Sequence, residues 1–168
     1  NGDIILKHRK INEIGEAKEF YATGNKVEVV DTKFGCIGLN ICSDNYPNSL
    51  ELGACIGNMG ANLLLSPSSW TIENSYDHAN NPYLDKWLDP LKSLAEKYEM
   101  TIIATTSVGY IVGGPFENRK MIGCSLIVNE SGLLKMGDLN EIATNLIIQD
   151  IEFKNKNNSF QKIIDQNV

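Results

Sequence analysis

Phe34-Gly35-Cys36-Ile37-Gly38-Leu39-Asn40-Ile41-Cys42-Ser43-Asp44-Asn45-Tyr46-Pro47 is the stretch on which the fold turns. It reads as a short apolar strand that stops at a cysteine, followed by a tight polar turn and by Pro47 opening a helix. A cysteine at such an elbow carries its thiol at the edge of a sheet. The N–H groups of a following helix start favour negative charge, which suits a thiolate and an oxyanion alike. A lone elbow cysteine is more often a small packed hydrophobe. The residues around Cys42 therefore decide what it is.

Upstream, Val27-Glu28-Val29 alternates as a strand does, and Asp31 to Gly35 reads as a turn, so Val27 to Ile41 is expected to form a hairpin. Downstream, Leu52, Cys55, Ile56 and Met59 recur at helical spacing. Asn48 and Glu51 have capping-box spacing, and Gly57 and Gly60 mark the helix end. Asn62 to Ser66 is a continuous apolar run, consistent with a strand buried on both faces, with Pro67 to Trp70 as the loop that follows. Leu84, Trp87, Leu88, Leu91, Leu94, Ala95 and Tyr98 carry a second helical stripe. Pro90 interrupts it, which predicts either a kink or a helix beginning at Pro90 behind Asp89. Strands are expected at Thr101–Thr106, Met121–Val128, Leu133–Met136 and Ala143–Ile151, with a loop over Gly109–Lys120 and a surface helix in the tail. The order strand–strand–helix–strand–helix–strand–strand–strand is an α/β layer pattern. Functional loops in such sheets gather at strand C-terminal ends, where Cys42 and the Ser66–Trp70 loop both fall.

The 168 residues suffice for one domain with a sizeable core. The net charge of −6 argues against nucleic acid or an anionic membrane as partner. No apolar run approaches the roughly 20 residues of a membrane span. The N-terminus has no signal-peptide core and no initiator methionine, so the sequence is expected to begin within a longer reading frame. The four cysteines form no C-x-x-C pair and keep no histidine cluster beside them, so no metal or cofactor is expected. Reduced thiols and a cytoplasmic location fit that pattern.

Several pieces recur together and in order: Arg9-Lys10; Gly24 with Val30-Asp31-Thr32 and Phe34-Gly35; Gly38-Leu39-Asn40-Ile41-Cys42-Ser43-Asp44; Tyr46-Pro47; Gly60-Ala61 with Pro67 and Trp70; and Gly123 to Val128 with Gly132. With these the sequence resembles the carbon–nitrogen hydrolase, or nitrilase, superfamily from about Gly2 to Ile151. The resemblance implies part of a four-layer α-β-β-α sandwich whose N-terminal portion is absent. Residues 1–152 would be the hydrolase domain and 153–168 a polar tail.

Members of that family use a Glu–Lys–Cys triad, often with a second glutamate. The resemblance assigns the lysine to Lys10, the nucleophile to Cys42 and the second glutamate to Glu19, with Glu16 as the fallback. The family's general-base glutamate lies well upstream of the lysine, where this sequence has only Asp3. By the same resemblance the Ser43 backbone N–H is a candidate oxyanion donor, and Tyr46 and Trp70 are candidates to shape the acyl pocket or simply to pack. Ser43-Asp44 looks like the amidase and carbamoylase branches more than the nitrilase branch, and Asn45-Tyr46-Pro47 looks like an aliphatic amidase turn. The expected activity is cysteine-dependent hydrolysis of a small amide or carbamoyl compound by a homo-oligomer. The alternatives are a scaffold or fragment without the general base, or acyl transfer through the same thioester. A Cys–His dyad using His8 or His78 is the least favoured, since each histidine reads as a surface residue.

Overall fold

The computed structural model describes residues 2–77, 80–142 and 144–153. The tail helix expected after residue 153 lies outside these residues. The expected hairpin forms from β1 (Val29–Thr32) and β2 (Gly35–Leu39), paired antiparallel. Its turn is closed by Thr32 Oγ1, which donates to Gly35 O at 2.8 Å. Gly35 has φ +113, a conformation that side chains resist.

Strand β2 leads into a 3₁₀ turn over Cys42–Asn45, and α1 (Leu50–Asn58) follows. The helix starts later than Pro47 suggests, and the Asn48–Glu51 capping box does not form. Ser49 takes the cap position, but its hydroxyl donates back to Ser43 O at 2.6 Å and Tyr46 O at 3.1 Å. That hydroxyl ties the helix start to the cysteine elbow instead of capping the helix.

Beyond α1 come β3 (Leu63–Ser68), β4 (Thr71–Glu73), α2 (Leu84–Tyr98), β5 (Thr101–Thr106), β6 (Val108–Tyr110), β7 (Arg119–Ile122), β8 (Leu126–Asn129) and β9 (Gly132–Met136). Six strands form one sheet in the order β1-β2-β3-β5-β8-β9. Its centre, β2-β3-β5, is parallel, and both flanks are antiparallel. Strands β4, β7 and β6 form a small antiparallel sheet at the C-terminal side of β3 and β5.

The register places Gly38, Leu64, Ile102 and Val128 in one row across the large sheet. Leu64, Ile102 and Val128 are fully buried in the core cluster, together with Leu52 and Ile56 of α1 and Trp87, Leu91, Leu94 and Ala95 of α2. The two helices thus cover this face. Gly38 has to be glycine for packing: a Cβ there would lie 2.3 Å from Ile56 Cγ2. Gly53 and Gly57 play the same part between the helices, against Leu94 and Tyr98. The opposite row, with Leu39, Leu65 and Ile103, is only half-buried.

Of the two alternatives at Pro90, the helix that starts there is not seen: α2 runs through Pro90 from Leu84, and Pro90 itself is buried. Two expectations change. The Met121–Val128 strand is two strands in different sheets, broken where Gly123 and Cys124 both take φ +65. Cys124 N donates to Asp138 O at 2.9 Å, and Trp87 Nε1 donates to Cys124 O at 3.0 Å, fixing the reversal. As a result β6 and β7 occupy both ends of the expected Gly109–Lys120 loop. Finally, the described part of Ala143–Ile151 is not a strand: Leu146 and Ile148 are exposed, so their alternation has no face to bury, and Asn145 bonds back to Asp138 N at 2.8 Å. Among the described residues no helix is long and apolar enough to cross a membrane.

Gly38→Val is expected to destabilise the chain by about 1–3 kcal/mol through overpacking against Ile56. Thermal unfolding checks this, and Ile56→Ala in the same chain should recover part of the loss.

Candidate active site

The elbow is built by backbone geometry and one carboxylate. Ile41 is extended, and Cys42 turns to φ +51, a conformation uncommon outside glycine and asparagine. Asp44 then folds back so that its Oδ2 accepts the Ile41 N–H at 3.0 Å. Behind the turn, Asn40 and Asn45 exchange side-chain hydrogen bonds at 2.6 and 3.1 Å, and Asn45 Nδ2 also donates to Ser66 Oγ at 2.6 Å. All three are buried, so the ends of β2 and β3 are locked together from inside.

The same carboxylate recruits the N-terminal segment. Asp44 Oδ1 accepts from Ile11 N at 3.2 Å, Asn12 N at 2.9 Å and Asn12 Nδ2 at 3.1 Å. Asp44 Oδ2 accepts from His8 Nε2 at 3.0 Å. The side chains of this His8–Asp44 pair are 4% and 0% exposed. Ser43 Oγ donates to Asn12 O. Burial alone would raise the Asp44 pKa, but the donors from His8, Asn12 and Ile41 outweigh it and hold the carboxyl below its usual range. Residues 8–12, and Lys10 within them, are strapped across the cysteine elbow.

Cys42 and Lys10 share a cleft of about 850 Å³ with His8, Arg9 and Glu13, walled by Ile14, Phe20, Tyr21, Ile111 and Phe116. Lys10 Nζ lies 3.3 Å from Glu13 Oε2, with side chains 14% and 8% exposed. Burial pushes the Cys42 thiol up, while the Lys10 charge and backbone hydrogen bonds from Ser69 and Ser43 pull it back; Asp44 adds a small upward push. Cys124 has burial alone and is pushed up to about 11. Of these two buried thiols, only Cys42 has groups that favour its thiolate. Among the described residues, no group of three or more His, Cys, Asp and Glu side chains is placed to hold a metal ion.

Cys42 and Lys10 are therefore brought together. Glu19 is not: it ends an exposed 3₁₀ turn, Gly15–Glu19, and does not line the cleft. Glu16, in the same turn, is also exposed. The carboxylate that meets Lys10 is Glu13. Glu13 lies three residues after Lys10 in a non-helical segment, where that spacing alone gives no signal for the contact. The Ser43 side chain faces Asn12 O, leaving only its backbone beside Cys42. Trp70 belongs to the core, and half-buried Tyr46 packs against it. Trp70 packs at 5.5 Å from Tyr46, 5.5 Å from Tyr83 and 4.2 Å from Trp87, centroid to centroid, and none of these rings lines the cleft. His8, expected at the surface, is nearly buried on Asp44. His78 lies outside the described residues.

Residues 1–155 match the carbon-nitrogen hydrolase family. The chain belongs to that family. Solved structures of this carbon-nitrogen hydrolase fold agree. A carbon-nitrogen hydrolase from Helicobacter pylori G27 matches with TM-score 0.68 at 21% identity, covering 79% of this chain and 48% of its own. Nit3 of Saccharomyces cerevisiae, from branch 10 of the nitrilase superfamily, matches with TM-score 0.63 at 23% identity, covering 83% and 46%. An amidase from Nesterenkonia sp. AN1, solved after Michael addition of acrylamide at its active-site cysteine, matches with TM-score 0.62 at 18% identity, covering 81% and 48%. The chain thus spans about half the length of these proteins and is a partial nitrilase-like domain. No curated protein matches it in sequence.

Asp44→Asn is expected to cost about 3–5 kcal/mol, because an amide nitrogen would face N–H donors in a buried site. The pH dependence follows from the depressed pKa. The Asp44 contribution is fully present above the unfolded-state value of about 3.9 and is lost as pH falls through the lower folded value. Denaturant unfolding from pH 7 to 2 should show stability falling with acid in the wild type and a shallower fall in Asp44→Asn.

Proposed function

We propose that this chain carries the nucleophile portion of a cysteine amidohydrolase acting on a non-peptide carbon–nitrogen bond in a small amide or carbamoyl compound. The observation that carries this is Cys42, held at φ +51 in a cleft beside Lys10 with the Ser69 and Ser43 backbone against its sulfur. The Nesterenkonia amidase of the same fold, with covalent addition at its active-site cysteine, supports a covalent route.

In this mechanism the Cys42 thiolate attacks the carbonyl carbon and forms a C–S bond. The carbonyl π electrons move to oxygen, and Lys10 and the Ser43 N–H stabilise that oxyanion. Collapse breaks the C–N bond, and the leaving nitrogen takes a proton and departs as ammonia or amine. Water then attacks the thioester, releasing the carboxylic acid and regenerating the thiol. Glu13 directs the Lys10 ammonium throughout. The general base that moves these protons is, by the family resemblance, a glutamate upstream of Lys10, in the part of the related proteins that this chain does not span. The apolar wall of Ile14, Phe20, Tyr21, Ile111 and Phe116 favours an apolar acyl group over a charged one.

Ammonia release from a panel of short aliphatic amides, measured on the intact protein, tests the proposal. Cys42→Ala should abolish turnover, and Lys10→Met should lower it about 10²–10³-fold. Unchanged turnover in Cys42→Ala would exclude the proposal, and no turnover of any amide by the intact protein would favour a non-catalytic scaffold.

A further inference from the structure

We propose that His8 is a positioning residue for the nucleophile: its contact with Asp44 holds Lys10 over Cys42. This rests on the reading of Cys42 and Lys10 as reacting partners. His8 Nε2 donates to Asp44 Oδ2 at 3.0 Å, and both side chains are almost wholly buried. Asp44 is itself part of the elbow, since the same oxygen accepts the Ile41 N–H and Cys42 is the next residue. Two residues beyond His8 comes Lys10, and then Ile11 and Asn12 bond the other carboxylate oxygen. The segment that carries Lys10 is thus pinned to one carboxylate on both sides of the lysine.

The downstream pins are backbone N–H groups and one amide, which any sequence retaining Asn12 would supply. The upstream pin on the carboxylate is the His8 side chain; beside it, the Lys10 backbone carbonyl accepts from Gly24 N at 2.7 Å. Without it, the segment loses its upstream hold on the elbow, and Lys10 is left with the downstream pins and the Gly24 bond to its backbone, neither of which directs its side chain toward Cys42. Lys10 then keeps its Glu13 contact, three residues away on the same segment, and so can swing out with Glu13 as a pair. His8 does not touch the reacting atoms in this scheme; it acts through Asp44 and Lys10.

The test is the pH dependence of Cys42 alkylation by iodoacetamide on the full chain, read by peptide mass mapping to separate Cys42 from exposed Cys55. The charged or titratable groups around the thiol are Lys10, Asp44, Tyr46 and Tyr83, with His8, Arg9 and Glu13 lining the same cleft. Four chains are compared: wild type, His8→Ala, Lys10→Met and the double variant. If His8 acts by placing Lys10, His8→Ala moves the alkylation midpoint up by about one pH unit. The same change then has no effect when Lys10 is already methionine. His8→Gln, which keeps an N–H at similar reach, should retain the wild-type midpoint. An unchanged midpoint in His8→Ala overturns the proposal. So does an equal shift in both backgrounds, which would mean His8 acts on the thiol without Lys10. A His8→Ala chain that loses its circular dichroism overturns it too, because the contact would then be holding the fold. None of these readouts requires turnover. A failed amidase assay and a failed positioning role are therefore distinguishable.

Discussion

The site depends on one buried carboxylate satisfied from five directions. Asp44 is fully buried, yet it stays ionised because two elements of the chain aim N–H groups at it. One donor comes from its own turn, Ile41, and the others come from His8, Ile11 and Asn12. An isolated ion in such a place would cost several kcal/mol, so the N-terminal segment and the elbow cannot separate without exposing that cost. The consequence is geometric: a lysine distant in sequence is delivered beside a cysteine whose own backbone is already committed to a sharp turn.

The large sheet supplies the rest of the alignment. Because β2 and β3 are parallel neighbours, their C-terminal ends emerge on the same side, and the loop after β3 passes over the elbow. That puts the Ser69 backbone on the Cys42 sulfur. The parallel pairing in turn requires α1 to lie flat on the sheet, and Gly38 is what allows Ile56 to come that close. Packing and chemistry are coupled here through a residue with no side chain.

The sequence carried the parts of this that are local. The hairpin, the second helical stripe and the strand leading into the Cys42 turn follow from spacing, and the resemblance points to Lys10 and Cys42; of the first stripe only Leu52 and Ile56 are buried, while Cys55 and Met59 are exposed. What it could not carry is contact between distant segments. His8 and Asp44 are 36 residues apart, and nothing in spacing joins them. The family pattern points to Glu19, with Glu16 as the fallback, whereas both are exposed in the Gly15–Glu19 turn and the carboxylate on the lysine is Glu13. Tyr46 and Trp70 illustrate the same limit. An aromatic beside the cysteine loop reads equally as a pocket wall or as core, and the rings packed around Trp70 place that indole in the core. Alternation misled at 143–151 because a period of two marks a strand only where a partner strand and a buried face exist.

Comparison of the two buried thiols at positive φ shows what makes one of them chemically different. Cys124 shares the strained backbone of Cys42 and is as thoroughly buried. Its strain, however, serves a reversal between sheets, and its carbonyl is spent on Trp87. Nothing offsets the burial of its sulfur, which pushes the thiol up to about 11. Burial pushes the Cys42 thiol up as well, and it stays above its ordinary value, but the Lys10 charge and the Ser69 and Ser43 backbone oppose that rise in an open cleft. Backbone strain alone therefore does not mark a nucleophile. What sets Cys42 apart is a strained turn that places its sulfur in a cleft with Lys10, on a segment whose neighbouring residues bond to Asp44.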